Sequence, residues 1–292
     1  MENESLQNLS NLLESNAYIA DRKITLALYL AQKLQKPLLI EGPAGVGKTE
    51  IAKVMATALK ADLIRLQCYV GLDASQALYE WNYQKQLLHI KMEEASSKSI
   101  EEKEDKIFSE SFLLKRPLLE AITNENPTVL LIDEIDRSDE EFESFLLEFL
   151  SDWQISIPEM GTIKAKQIPQ TILTSNRVRE LSEALRRRCL YIWIDYPDYE
   201  KELSIVKRKV PDINETLAAQ ICKTMIEFRR MRLNKLPGVA ETLDWAMALA
   251  GMHFEYLDKS ILEDSLGIVL KDWQDIRTAQ DSLSELFDKV GV

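Results

Sequence analysis

Gly42-Pro43-Ala44-Gly45-Val46-Gly47-Lys48-Thr49 is the stretch on which the reading of this 292-residue chain turns. It fits the pattern G-x-x-x-x-G-K-[ST]. Glycines let main-chain N–H groups turn inward around phosphate oxygens, and a following helix adds the positive end of its dipole. Lys48 is the cation that would reach the outer phosphates of a triphosphate, and the Thr49 hydroxyl would meet Mg2+. The surroundings suit the motif. Pro37 ends a helix predicted from Arg22 to Lys33, and Leu38-Leu39-Ile40 reads as a short strand buried on both faces. After the loop, Ile51, Val54, Met55, Ala58 and Leu59 mark the core face of a helix. The plain alternative is a glycine turn that caps a helix.

A second signal lies downstream. Val129 to Ile132 is another buried strand, and it ends in Asp133 and Glu134. An acid at the carboxyl edge of the sheet can hold the water shell of Mg2+, and the next residue can polarise an attacking water. Two solvated acids at a strand end would look the same. Asn176 closes the strand Thr171 to Thr174 and either orients that water or caps a helix. Arg186-Arg187-Arg188 follow a short helical segment, where they either complement its C-terminus or offer a cation to a neighbouring subunit's phosphate.

Leu63 to Gln67 and Leu190 to Ile194 complete five strands. Ile155 and Ile157 alternate before Pro158-Glu159-Met160-Gly161, and Ile163 and Ala165 alternate after it, which predicts a hairpin. Tyr69 to Met92 reads as helical and rich in aromatics, Phe112 to Ile122 as a helix, and Asp139 to Trp153 as an amphipathic helix. The aromatics of Leu78 to Tyr83 read first as core and second as an insert that touches substrate. Lys91 to Lys106 is charge-dense and reads as a solvated face or mobile insertion. Beyond Tyr196-Pro197 strand signals end and helical periodicity runs on. The fold class expected is α/β over residues 1–197, followed by an all-helical lid over 198–292.

The net charge of −12 and pI of about 4.9 oppose a broad nucleic-acid-binding face. Cys68, Cys189 and Cys222 lie far apart, and with only His89 and His253 beside them a zinc cluster lacks ligands. The thiols read as buried small hydrophobes. The start, Met1-Glu2-Asn3-Glu4-Ser5-Leu6, lacks the basic and apolar regions of a secretory signal, and no apolar run reaches membrane-spanning length. The expectation is a cytoplasmic protein.

The order of these parts resembles an AAA+ ATPase of the MoxR branch, and within it the CoxD-like members linked to carbon monoxide dehydrogenase maturation. The closer likeness is carried by Gln67-Cys68-Tyr69, Gly71-Leu72-Asp73, Ala77 to Tyr83, Lys115 to Leu119, Ile132 to Arg137, Ala184 to Cys189 and Pro237 to Trp245. It implies a P-loop fold with a five-stranded parallel sheet in the order 5-1-4-3-2, a homohexameric ring, and ATP with Mg2+ at the subunit boundary. It implies nucleotide contacts from Gly42, Pro43, Ala44, Gly45, Val46, Gly47, Lys48, Thr49 and Asp133, with magnesium contact from Thr49 and Asp133. Glu134 becomes the catalytic base, Asn176 the first sensor, and Arg188, with Arg187 second, the finger. Trp153 to Gln167 resembles the pre-sensor hairpin that faces the pore. One departure stands out: where the branch has a lid arginine as second sensor, this chain has Val239-Ala240-Glu241.

The function expected is ATP hydrolysis that remodels a client protein. The resemblance suggests a molybdenum-hydroxylase client and a von Willebrand A-domain adaptor. Two other classes share the motifs: an ATP-gated interaction module with incidental turnover, and a DNA-acting motor. A GTPase is disfavoured because no Asn-Lys-x-Asp motif appears.

Overall fold

A computed structural model describes residues 2–93 and 107–290. The charge-dense stretch Lys91 to Lys106 lies outside the described residues from position 94 on. The strands are β1 (Leu38–Glu41), β2 (Asp62–Gln67), β3 (Tyr79–Trp81), β4 (Leu113–Lys115), β5 (Thr128–Asp133), β6 (Gln154–Ile157), β7 (Gly161–Lys164), β8 (Gln170–Ser175) and β9 (Leu190–Trp193).

Five of them form one parallel sheet in the order β2-β5-β8-β1-β9. Numbered among themselves, these are 2-3-4-1-5, which is the expected order 5-1-4-3-2 met from the other edge. The apolar runs explain the arrangement. All residues of β1 and β5 are buried, as a strand covered on both faces requires. Parallel register pairs Glu41 with Ser175 and Gln67 with Asp133, so polar residues collect at the carboxyl edge.

By packing, the chain divides into two units. One holds the described residues of Lys23–Glu41 and Ala52–Ile192. Its core joins sheet residues such as Leu39, Leu130, Ile132 and Leu173 to Phe142, Leu146 and Phe149 of the helix Glu140–Asp152. Asp139 caps that helix by accepting from the Phe142 N–H, and Trp153 ends it in a left-handed conformation at φ 50°. The chain then enters the expected hairpin, where Ile155 faces Ile163 across β6 and β7.

The other unit holds the described residues of Met1–Arg22, Gly42–Ile51 and Trp193–Val292. From Tyr199 onward the described residues contain helices and no strand. Asp198, Asn214, Asp258 and Asp272 each cap one of these helices through a side-chain oxygen. Leu217, Ile221, Met225, Phe228, Trp245 and Leu266 form a second core.

Two local expectations are corrected. Tyr69 to Met92 is not one helix: β3 interrupts it and pairs with β4, Tyr79 opposite Lys115. Phe112 to Ile122 is not one helix either. Pro117 has no N–H to give and holds Arg116 extended at ψ 169°, so the helix starts at Pro117 and the residues before it form β4.

Candidate functional site

The glycine-rich loop begins directly after β1 and runs into the helix Lys48–Leu59. Gly45 and Gly47 adopt φ +76° and +88°, which side-chain-bearing residues resist. A Cβ on Gly42 would stand 2.0 Å from the carbonyl oxygen of Ile194, so no larger residue fits there. Lys48 is 7% exposed, and its ammonium donates to the carbonyls of Gly42 at 2.8 Å and Pro43 at 2.6 Å.

The same loop meets the start of the helix Val239–Gly251. The Gly45 carbonyl accepts from Val239 N at 2.8 Å and from Ala240 N at 3.3 Å. A Cβ on Gly238 would meet the Gly45 backbone at 2.7 Å, so this approach needs glycine on both sides. Glu241 acts close by, where its Oε2 accepts from Gly238 N at 2.9 Å, an N3 acid reaching back to the N-cap amide. The acid that replaces the expected lid arginine therefore helps hold the helix start that touches the loop.

The carboxyl edge of the sheet carries the second set of residues. Asp133 is 2% exposed. Its Oδ1 accepts from Thr174 Oγ1, and its Oδ2 accepts from Arg65 Nε at 3.1 Å and Nη2 at 2.6 Å. Glu134 follows in a left-handed conformation, φ 55°, with its N–H donating to Thr174 Oγ1 at 2.9 Å. A non-glycine residue at positive φ costs about 1–2 kcal/mol and persists only where surrounding contacts enforce it. Here the carboxylate that follows the turn is held by three side chains. Asn176 Nδ2 donates to Glu134 Oε1 at 3.3 Å, while Gln67 Nε2 at 3.1 Å and Arg137 Nε at 2.8 Å meet Oε2. Buried Asp136 fixes the turn after β8 by accepting from Asn176 N and Val178 N.

The structure thus gathers Asp133, Glu134 and Asn176 in one polar network, and places Gly42, Pro43, Ala44, Gly45, Val46, Gly47, Lys48 and Thr49 in one loop and helix start. Arg187 and Arg188 stand on a different element, the helix Glu183–Arg188. Arg188 donates to Ser151 Oγ at 2.6 Å and to the Ala184 carbonyl at 2.9 Å. Arg187 pairs with Glu183 and is 76% exposed, and Arg186 lies 5.6 Å from the Tyr191 ring centre.

Arg65, Gln67, Arg137 and Thr174 join the site without being singled out by sequence pattern. A signal exists for two of them: Arg65 and Gln67 alternate with buried Ile64 and Leu66 on β2, so both point to one polar face at the strand end. The cysteines behave as small apolar residues. Burial pushes the Cys68, Cys189 and Cys222 thiols up to about 12. Among the described residues no group of three or more His, Cys, Asp or Glu is arranged to hold a metal, and no helix is long and apolar enough to cross a membrane.

The chain is similar to several known proteins. An uncharacterized protein of Staphylococcus haemolyticus is 27% identical over 205 residues, covering 68% of this chain and 70% of its own. One from Staphylococcus epidermidis is 26% identical over 206 residues, with the same coverage of 68% and 70%. A RuvB variant from Thermotoga maritima superposes with a TM-score of 0.51 at 18% identity, covering 97% of this chain and 78% of that one. At that identity the fold is what the two share. Residues 38–195 match the model of the ATPase family associated with various cellular activities (AAA). With more than half of its length matched in this way, the chain belongs to the AAA family of ATPases.

Proposed function

We propose that this chain binds ATP with magnesium through Gly42–Thr49 and hydrolyses it in a ring of like subunits to remodel another protein. The observation that carries the reading is the network around Glu134. A carboxylate at the sheet edge, turned by a left-handed residue and held by Asn176 and Gln67, is built to be aimed rather than to stabilise the fold.

In this reading residues 1–197 bind nucleotide and residues 198–292 act as a lid. The glycine loop supplies main-chain donors to the phosphates, and the Lys48 ammonium exchanges its carbonyl partners for phosphate oxygens. Thr49 and Asp133 would hold magnesium; a hydroxyl and a carboxylate are the hard oxygen donors that this ion takes. When bound, magnesium offsets charge on the phosphates. Glu134 accepts the proton of a water, and Asn176 fixes the orientation of that carboxylate. Arg188, with Arg187 as the second choice, is offered to the nucleotide of a neighbouring subunit, where a cation stabilises developing charge.

The client surface is proposed near the paired strands β3–β4 and β6–β7. A cleft of about 680 Å³ lies there, lined by Tyr79, Trp81, Tyr83, Phe145 and Phe149 together with Glu80, Glu148 and Glu159. A hexamer acting with a von Willebrand A-domain adaptor on a molybdenum-hydroxylase client is the narrowest form of the proposal, and resemblance alone supports it. A second reading, an ATP-gated interaction module, is favoured by Glu241 at the position of the expected lid cation. Client release by ATP but not by a non-hydrolysable analogue separates the first reading from the second. Salt-sensitive DNA binding would redirect the proposal to a nucleic-acid motor.

Catalysis and assembly are tested together. Glu134→Gln should retain ATP and lose turnover by about 10²–10⁴-fold, the range of a general base. Unchanged turnover removes Glu134 from that role. Arg188→Ala should be slow alone and regain activity when mixed with Glu134→Gln subunits, with Arg187→Ala run in parallel. Absence of rescue by either arginine variant in verified mixed rings excludes a finger in trans.

A further inference from the structure

β2 is an edge strand whose residues alternate sharply. Ile64 and Leu66 are buried at 7% and 4% exposure, while Arg65 and Gln67 lie on the opposite face. In parallel register with β5, Gln67 pairs with Asp133 and Arg65 with Leu131. Arg65 therefore sits one pleat short of Asp133, within reach of its carboxylate. Two guanidinium nitrogens converge on one oxygen, Oδ2, while Thr174 takes the other. The Arg65 side chain is 49% exposed although its partner is 3% exposed. Its Nη2 also donates to Gln67 Oε1, so a second acceptor stands beside the first.

This pair is poorly suited to a purely structural role. Half of the Arg65 side chain is exposed, and Gln67 Oε1 gives its guanidinium an alternative acceptor. The carboxylate it covers is the one proposed above to hold magnesium. A guanidinium on Oδ2 and a divalent cation drawn to the same carboxylate compete for it and repel each other.

We propose that Arg65 is a positioning residue that competes with magnesium for Asp133, so that metal loading requires the guanidinium to leave Oδ2 for water or for Gln67 Oε1. This rests on the nucleotide reading above. It assigns Arg65 a direct influence on how much magnesium the site requires, and none on the bonds that break. Gln67 touches both Arg65 and Glu134, so release of the guanidinium also alters the contacts that aim the proposed base.

The test is the magnesium dependence of ADP binding by the full chain, monitored by calorimetry at fixed ADP, with Mn2+ paramagnetic resonance as a second measure of metal occupancy. Arg65→Gln should lower the magnesium midpoint by about three- to tenfold, because a competing cation near a buried carboxylate is gone. Arg65→Lys, which keeps the charge, should stay within about twofold of the parent. ADP binding in EDTA should stay within about twofold in both variants, which shows that the loop is intact. A midpoint in Arg65→Gln that is unchanged or raised, with the EDTA affinity intact, overturns the competition and leaves the proposed function standing. Loss of the fold in Arg65→Gln, with Arg65→Lys also shifted, makes the residue structural and likewise overturns it. If the parent chain takes up no ADP at any magnesium concentration, the proposed function fails first and the competition with it.

Discussion

Arg229 with Glu202 and Arg65 with Asp133 are the same chemical pair in two regions of the molecule. Within the helical unit the pair is closed. Arg229 and Glu202 side chains are 8% and 0% exposed, and two parallel contacts of 2.5 and 2.7 Å join them. Arg229 also donates to the Pro237 carbonyl and stacks 4.8 Å from the Tyr196 ring, while Thr242 donates to Glu202. Every strong donor and acceptor there is committed to the fold. At the sheet edge the pair is open: the Arg65 side chain is half exposed, its guanidinium fastens on a single oxygen, and a second acceptor is at hand. A closed pair specifies structure, and an open one can exchange partners. That difference fits the proposed working role of the sheet edge and a scaffold role for the Arg229 cluster.

Four experiments probe that contrast. The strongest response belongs to Arg229→Ala, which leaves Glu202 buried without its partner and should lower stability by about 3–5 kcal/mol in urea denaturation. A loss below about 1 kcal/mol would place this pair with exposed ones and erase the contrast.

Next come the thiols that lie beside each region. Burial, then Glu202, raises Cys222 to about 12, with Arg229 opposing; burial, then Asp133, Asp136 and Glu134, raises Cys68 to about 12, with Arg179 opposing. The folded values lie above the ordinary thiol value, so the stabilisation is complete below about 9 and is lost as pH rises from there toward 12. Between pH 8 and 10 each thiol should cost about 1–2 kcal/mol of stability. The Cys68→Ala, Cys222→Ala double variant should lose less over the same interval than the parent, and equal losses would refute the burial argument.

A smaller effect is expected from Glu241→Ala, which removes the acceptor of the Gly238 N–H and should cost about 1 kcal/mol. A gain in stability would instead point to unfavourable charge beside the loop. The weakest response belongs to the open pair. Arg65→Gln should change urea stability by less than about 1 kcal/mol, in contrast with Arg229→Ala.

Much of this is legible in the sequence because the responsible forces are local. Leu38 to Ile40 and Val129 to Ile132 are apolar on every residue, and both are fully buried central strands. The glycine loop declares itself by spacing. Asp133, Glu134 and Asn176 follow from the strand ends, and the parallel register then brings them together. What escapes depends on distant partners. Arg65 meets Asp133 across 68 positions, and no local pattern announces such a pair. β3 and β4 have three residues each and exist only as each other's neighbours, so helical periodicity dominates the pattern of the same stretch. Glu241 stands out in sequence as an acid in place of a cation. In the structure it accepts from the Gly238 N–H three residues back, a local role that the comparison with a missing arginine hides.

Calorimetric titration of ATP with magnesium into the folded chain asks whether Gly42–Thr49 holds a triphosphate, on which the rest depends. One equivalent of ATP should bind to the parent, and Lys48→Ala should bind at least about tenfold more weakly, since a charged donor to phosphate is lost. No heat of binding to well-folded parent, or equal affinity in the two proteins, would refute nucleotide binding by this loop.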